Sequence, residues 1–264
     1  MKRVALIRNS YSYDFGGAEI FPINLAKITN SLGYETFILS ANAKTLDAAK
    51  AAGIKTKRSP WLSFQNFSGI KIILFPLYLI WIFFVTAWYL AYFFKNRIDI
   101  VHPQSRDDFT AATLAAKLLG KKVIWTDHAD LKYTYMNHNK WYKNPVGKLV
   151  YISSLLADKV TLESSSEMQL IEATLGKSLP ANYELIHIGV VDSYTPTNRK
   201  ANEVVLVSTS RLVTSKGIGE LIEAFILIDN KNAVLRLYGD GPEAARFQSL
   251  ASGIKNIEFL GQKF

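Results

Sequence analysis

IILFPLYLIWIFFVTAWYLAYFF, residues 72–94, runs for 23 residues without a charge. Its reading decides the fold, because about 20 apolar residues are enough for a helix to cross the hydrocarbon of a bilayer. The flanking sequence argues against a crossing. Arg3 to Arg8 and Glu35 to Ser40 before it read as short strands, as do Ile98 to His102, Lys121 to Thr126, Asp158 to Glu163 and Glu184 to Ile188 after it. Segments of helical period lie between most of them, such as Asp107 to Leu119, which stops at Gly120. Strand and helix in alternation predict a parallel sheet covered on both faces. Strands of one sheet cannot sit on opposite sides of a bilayer, and a pass that enters and returns needs roughly twice this length. Pro76 near the start predicts a kink or a break. The segment is therefore expected to lie in the plane of a membrane interface, or to dip and return. Trp61, Tyr78, Trp81, Trp88, Tyr89 and Tyr92 would sit at headgroup depth, with Lys55, Lys57, Arg58, Lys71, Lys95 and Arg97 on anionic phosphates. The competing readings are a true span and a crossover helix wholly buried in the first domain. The second is disfavoured because such a helix packs only one stripe and this one is apolar all round.

The chain of 264 residues, 49% hydrophobic, has material for one large core or two medium ones. Thirty-one Lys and Arg against 22 Asp and Glu leave a net charge of +9, which favours anionic partners. The cations are scattered, with no run of five, so nucleic acid is not an expected partner. The absence of cysteine excludes disulfides, zinc–thiolate sites and thiol catalysis, and agrees with a reducing compartment. Met1-Lys2-Arg3 passes at once into the strand-like Val4 to Ile7, unlike a secretory signal, which predicts a cytoplasmic protein.

A turn-rich stretch from Gly189 to Asn198 reads as a linker. After it come strand Glu203 to Ser208, helix Lys216 to Ile228, strand Ala233 to Tyr238, helix Pro242 to Leu250 and strand Asn256 to Leu260. Three strands are about half of a nucleotide-binding α/β sheet. The expected organisation is an N-terminal Rossmann-like domain over residues 1–195 that carries the apolar segment 72–94, and a partial second one over 196–264.

Asn9 to Glu19, NSYSYDFGGAE, follows the first strand and opens a helix. Gly16 and Gly17 would let the backbone approach a ligand, and the first helix amides would favour an anion. Simple turn chemistry is the commoner account of such a pair at a strand–helix turn. There is no Gly-x-Gly-x-x-Gly, which argues against a nicotinamide enzyme. Ser208 to Phe225, STSRLVTSKGIGELIEAF, places Arg211 just past a strand end and Lys216 at the start of a helix. Two cations at the carboxyl edge of a parallel sheet suit a diphosphate, Arg as a fork and Lys as a point charge. The alternative is an exposed loop with solvated charges.

The pieces FGGAE, NSLGYETFILS, DIVHPQSR, KKVIWTDHAD, ADKVTLESSSE, IHIGVVD, STSRLVTSKGIGELIEAF, RLYGDGPE and NIEFLGQ give the chain its resemblance to the family 4 retaining glycosyltransferases of the GT-B fold. The resemblance implies two Rossmann-like parallel-sheet domains, the second incomplete in a C-terminally truncated chain. It also implies transfer of a hexose-type sugar from a nucleotide diphosphate donor with retention of configuration. Gly16 and Gly17 would face the donor phosphates, Arg211 and Lys216 would hold the diphosphate, and His128 would lie near the donor sugar. Gly239, Gly241 and Glu243 would shape the base and ribose end. Fixed cations and amides can stabilise the departing nucleoside diphosphate without a metal, and no metal or other cofactor is expected. Asp127, His128 and Asp130 imitate a metal cluster, but adjacent positions on one loop are poor ligand geometry.

Some positions depart from the family's pattern. The family carries two glutamates separated by seven residues, and no Glu here has another eight positions later. Ile186-His187-Ile188-Gly189 stands in place of the more usual Pro-Asn-Gly, and Gln104 where a second histidine is common. Ser105 and Arg106 would contact an anionic acceptor, or else cap the following helix. The expected protein is a cytoplasmic enzyme, peripheral on the inner face of the membrane, with a lipid-linked or membrane-proximal acceptor. The alternatives are an inactive nucleotide-sugar-binding protein and a membrane-anchored scaffold.

Overall fold

The computed structural model describes residues 1–9, 15–61, 69–128, 131–189, 204–228, 230 and 232–262. Residues 10–14 of the glycine turn, the Lys71 side chain, Asp130, the linker from Val190 to Asn198 and Glu203 lie outside the described residues. The chain divides into two compact units, Met1–Val190 and Val191–Phe264.

The first unit alternates strands and helices. They are β1 (Arg3–Ile7), α1 (Gly17–Ser31), β2 (Glu35–Ser40), α2 (Ala43–Ala51), β3 (Lys55–Arg58), α3 (Phe75–Lys95), β4 (Ile100–Pro103), α4 (Arg106–Leu118), β5 (Lys122–Thr126), α5 (Leu131–Tyr135), α6 (Pro145–Leu156), β6 (Lys159–Leu162), α7 (Ser165–Leu175) and β7 (Tyr183–Leu185). All seven strands pair in parallel in the order β3-β2-β1-β4-β5-β6-β7. β1 and β4 are neighbouring interior strands, and the order reverses between them. Such a switch point is where open α/β sheets bind ligands, at the carboxyl ends of their strands.

Alternation sorts the core into two layers. Val4, Leu6 and Ile38 face α1 and α2 with Ile23, Ala26, Ala49 and Ile54. Ala5, Ile7 and Leu39 face the other way, toward a cluster that α3, α4 and α6 complete. β3 has no apolar signature. Its sequence KTKR is mostly exposed and pairs only with β2, so it is a charged edge strand of the kind that discourages further pairing.

The apolar segment is a crossover helix of this sheet, since α3 follows β3 and precedes β4. It is not wholly buried. Tyr78, Ile82, Val85, Tyr89 and Phe93 form one inward stripe, while Leu77, Ile80, Phe83, Phe84 and Phe94 stay exposed. Two sequence expectations are corrected here. Tyr78 and Tyr89 are core residues, so they cannot rest at headgroup depth. Pro76 makes no kink, because it occupies the first helical turn, where a missing N–H costs nothing.

The second unit holds β8 (Val204–Thr209), α8 (Ile218–Ile228), β9 (Ala233–Tyr238), α9 (Ala244–Leu250) and β10 (Ile257–Gly261), in a parallel sheet ordered β10-β9-β8. Lys216 belongs to a 3-10 turn over Thr214–Lys216. The expected helix starts two residues later, because Gly217 at φ 67° interrupts the turn. One cluster of Ile218, Ile222, Phe225, Leu235, Leu237 and Phe247 fills one face of the sheet. On the other face Val234, Arg236 and Tyr238 are half-exposed, and among the described residues of this unit no helix covers them.

Candidate functional site

The carboxyl edge of the first sheet gathers the polar groups. At the end of β1, Arg8 donates from Nη1 to the Gln104 carbonyl at 2.6 Å and sets Nη2 3.3 Å from Glu19 Oε1. Glu19 also accepts the Gly16 N–H at 3.1 Å, and the Gly16 carbonyl takes the N–H groups of Glu19 and Ile20. Of the expected phosphate-facing pair, Gly16 thus has its amide engaged. Gly17 N–H and Ala18 N–H are the first-turn amides without an intrahelical acceptor. A Cβ added at Gly17 meets nothing within 4 Å, so the space beside it is open.

His128 follows β5 and is largely buried, with Nδ1 2.5 Å from Glu163 Oε1. That is an ion-pair distance, although Oε1 lies off the hydrogen-bond direction. The edge of Phe21 meets the imidazole, ring centroids 5.1 Å apart. Glu163 is a partner that sequence reasoning missed. β5 and β6 pair Thr126 with Thr161, so His128 and Glu163, each two residues beyond that pair, come side by side, and neither segment by itself announces the pairing. Next to this pair His102 Nε2 lies 2.7 Å from Thr126 Oγ1. Burial, helped by repulsion from His128, pushes the His102 imidazole down to about 4, so it is neutral at pH 7.

Among the described residues, several buried atoms at this edge have no hydrogen-bond partner: Arg8 Nε, both amide atoms of Gln104 and His128 Nε2. An unmatched buried polar atom costs about 1–3 kcal/mol. Such atoms gathered beside the switch point mark a place where a polar ligand or water completes the bonding. Arg106 opens α4 with Nε 3.9 Å from Asp107 Oδ1, so its charge is already shared. Ser105 stands at the N-cap, and its hydroxyl donates to Asp108.

Asp108 is the centre of a buried network that composition did not reveal. It accepts from Asn9 Nδ2 at 2.8 Å and from the Tyr89 hydroxyl at 2.9 Å, joining β1, α4 and α3. Burial raises its carboxyl above the usual range, although the donors oppose that shift.

In the second unit the five expected residues all leave the carboxyl edge of one sheet. Arg211 and Lys216, between β8 and α8, are exposed and have no ion-pair partner among the described residues. Gly239 and Gly241, after β9, press on the 210–212 backbone. Leu212 N–H donates to the Asp240 carbonyl at 3.0 Å, and Gly239 N–H to the Gly261 carbonyl at 2.9 Å. A Cβ at Gly239, where φ is 141°, would lie 1.9 Å from the Ser210 carbonyl oxygen, and one at Gly241 2.4 Å from that of Leu212. The two glycines therefore let the Arg211 loop and the Gly239 loop pack together. Glu243 accepts from Thr214 Oγ1 at 2.5 Å and pairs with Arg246 at 3.2 Å; these contacts keep its carboxyl below the usual range. An open groove of about 610 Å³ lies between α8 and α9, lined by Thr214, Glu220, Glu223 and Arg246, and contains none of the five.

An α/β chain with a seven-stranded and a three-stranded parallel sheet, its polar groups at the carboxyl edges, has the GT-B class of fold. The family model described as Glycosyltransferase Family 4 matches residues 15–194, and the chain belongs to that family. Solved structures share the fold. HepE of Anabaena, in complex with UDP and glucose, superposes with a TM-score of 0.70 at 14% identity, over 100% of this chain and 70% of its own. A glycosyltransferase of Rickettsia africae gives 0.66 at 18%, over 99% and 68%. The lipopolysaccharide outer core galactosyltransferase WaaB, in its apo form, gives 0.58 at 19%, over 99% and 68%. An exopolysaccharide phosphotransferase of Streptomyces coelicolor is 27% identical over 120 residues, which is 44% of this chain and only 12% of that relative's length.

Proposed function

We propose that the chain is a retaining glycosyltransferase that moves a hexose-type sugar from a nucleotide diphosphate donor to a lipid-linked or membrane-proximal acceptor. The observation that carries this proposal is the pair of exposed cations, Arg211 and Lys216, at the carboxyl edge of the second sheet. Family membership and the UDP complexes of the similar HepE support a nucleotide-sugar donor. In the proposed reaction the two cations take the charge that develops on the leaving diphosphate, and no metal is assigned. Gly239 and Gly241 hold the cationic loop in place, Glu243 braces it, and the nucleoside lies beside them. His128, with Nε2 unpartnered, meets the donor sugar. Arg106 and Gln104 border the acceptor side.

The exposed face of α3 supports a peripheral place on an anionic membrane, proposed to be the inner face of the cell membrane. Calorimetry on the full chain tests the donor site. UDP or GDP binds the wild type, and Arg211→Ala and Lys216→Ala each weaken binding about tenfold or more, as loss of a charge-assisted contact requires. No binding by the wild type would contradict the proposal.

A further inference from the structure

A second apolar surface lies between α5 and α6. Tyr133, Met136, Trp141 and Tyr142 are 64%, 49%, 64% and 56% exposed. They are not loose ends of a slack loop, because the same turn is fastened from inside. The Asn144 side chain donates to the carbonyls of Thr134 at 2.8 Å and Met136 at 2.7 Å, and accepts the Gly147 N–H at 2.8 Å. Only glycine fits at 147, since a Cβ there would lie 2.1 Å from the Thr134 carbonyl oxygen. Tyr135 and His138 turn inward, the first with its hydroxyl 2.6 Å from that of Tyr183 and the second against Tyr151. A built turn that holds two aromatic rings in and sets Trp141 and Tyr142 out presents them to something other than water.

The charges indicate what. From Leu131 to Ala157 the ionisable residues, histidine and tyrosine apart, are Lys132, Lys140, Lys143 and Lys148, with no Asp or Glu. Trp and Tyr interleaved with Lys is the chemistry of the headgroup layer of an anionic bilayer. A protein interface would place few lysines in its centre. The turn also leaves β5 at the carboxyl edge of the sheet, where α3 begins after β3, and α3, α4 and α6 belong to one helical layer.

We propose that the turn from Tyr133 to Lys143 is a second contact with an anionic lipid surface. Trp141 and Tyr142 enter the headgroups, and Lys140 and Lys143 pair with their phosphates. It rests on the membrane association proposed above and extends it: with two contacts along one edge, the acceptor side of the site opens toward the bilayer. The chain has no cysteine, so single-cysteine variants give clean reporters. Trp141→Cys, Phe83→Cys on α3 and Lys50→Cys on α2, in the opposite layer, are each labelled with an environment-sensitive fluorophore. Each is mixed with vesicles of phosphatidylcholine, with and without phosphatidylglycerol. The label at 141 is expected to shift to the blue with phosphatidylglycerol vesicles only, while the label at 50 stays aqueous. Lys140→Gln with Lys143→Gln should lower partition by about tenfold or more. If the label at 83 shifts and that at 141 does not, the second contact is overturned and α3 alone meets the membrane. A shift at 141 without one at 83 supports the second contact and removes α3 from the membrane. If neither shifts, both proposals fall.

Discussion

His128 and Glu163 illustrate what a single position contributes. The imidazole sets Nδ1 2.5 Å from a Glu163 carboxylate oxygen and leaves Nε2 unpartnered among the described residues, so in the proposed site Glu163 would act as a positioning residue for His128. Glu163→Gln keeps the shape and removes the charge. Transfer or hydrolysis of the nucleotide-sugar donor should fall by about tenfold, and with His128→Ala by about a hundredfold, with thermal unfolding little changed. Equal rates in wild type and Glu163→Gln would exclude the positioning role. His102 gives a stability prediction. Its folded value of about 4 lies below the ordinary 6.5, so the unfolded chain binds the proton first. Stability is therefore lost as pH falls from about 6.5 toward 4, and His102→Gln should flatten that slope in urea titrations across this range. Gly239→Ala should unfold the second unit or cost more than about 3 kcal/mol, since the added carbon meets backbone that cannot move aside. The two glycines were legible as special positions in Gly-x-Gly-Pro-Glu. That their first duty is to admit the 210–212 backbone was not legible, because a sequence does not say which loop lies opposite.

At the scale of elements, α3 separates what composition can and cannot tell. Tyr78, Ile82, Val85, Tyr89 and Phe93 face the core, while Leu79, Ile80, Phe83 and Phe84, no less apolar, face out. Hydrophobic period carries no signal when every position is apolar, so the inward stripe appears only in the fold. Phe93→Ala should cost about 3–5 kcal/mol in urea unfolding, whereas Phe83→Ala, at 77% exposure, should cost under about 0.5. Equal costs at the two positions would contradict this placement of the helix. Tyr89→Phe removes a buried donor from Asp108 and should cost about 1–3 kcal/mol. β3 escaped notice for the opposite reason: an edge strand of Lys, Thr, Lys and Arg has no apolar side to betray it.

For the whole molecule, the alternation of strand and helix was enough to predict parallel sheets in two units, because crossover connections constrain strand direction. Strand order was not legible, and it is strand order that puts His128 beside Glu163 and the ends of β1 and β4 at one switch point. Asp158 shows a similar long-range contribution. Burial would raise its carboxyl, but donors from Lys117, Lys122 and the Val123 amide overcome that and hold it well below the usual range. A depressed carboxyl stabilises the fold above its unfolded value and loses that contribution as pH falls toward the folded one. Asp158→Asn should therefore destabilise at pH 7 and show less acid sensitivity below about pH 4. The claim on which the account rests is that a diphosphate binds at the carboxyl edge of the second sheet. Amide NMR of the isotope-labelled full chain, titrated with UDP, tests it most directly. The account predicts saturable shifts in the amides from Ser210 to Gly217 and from Gly239 to Glu243. Shifts confined to other residues, or none at all, would contradict it.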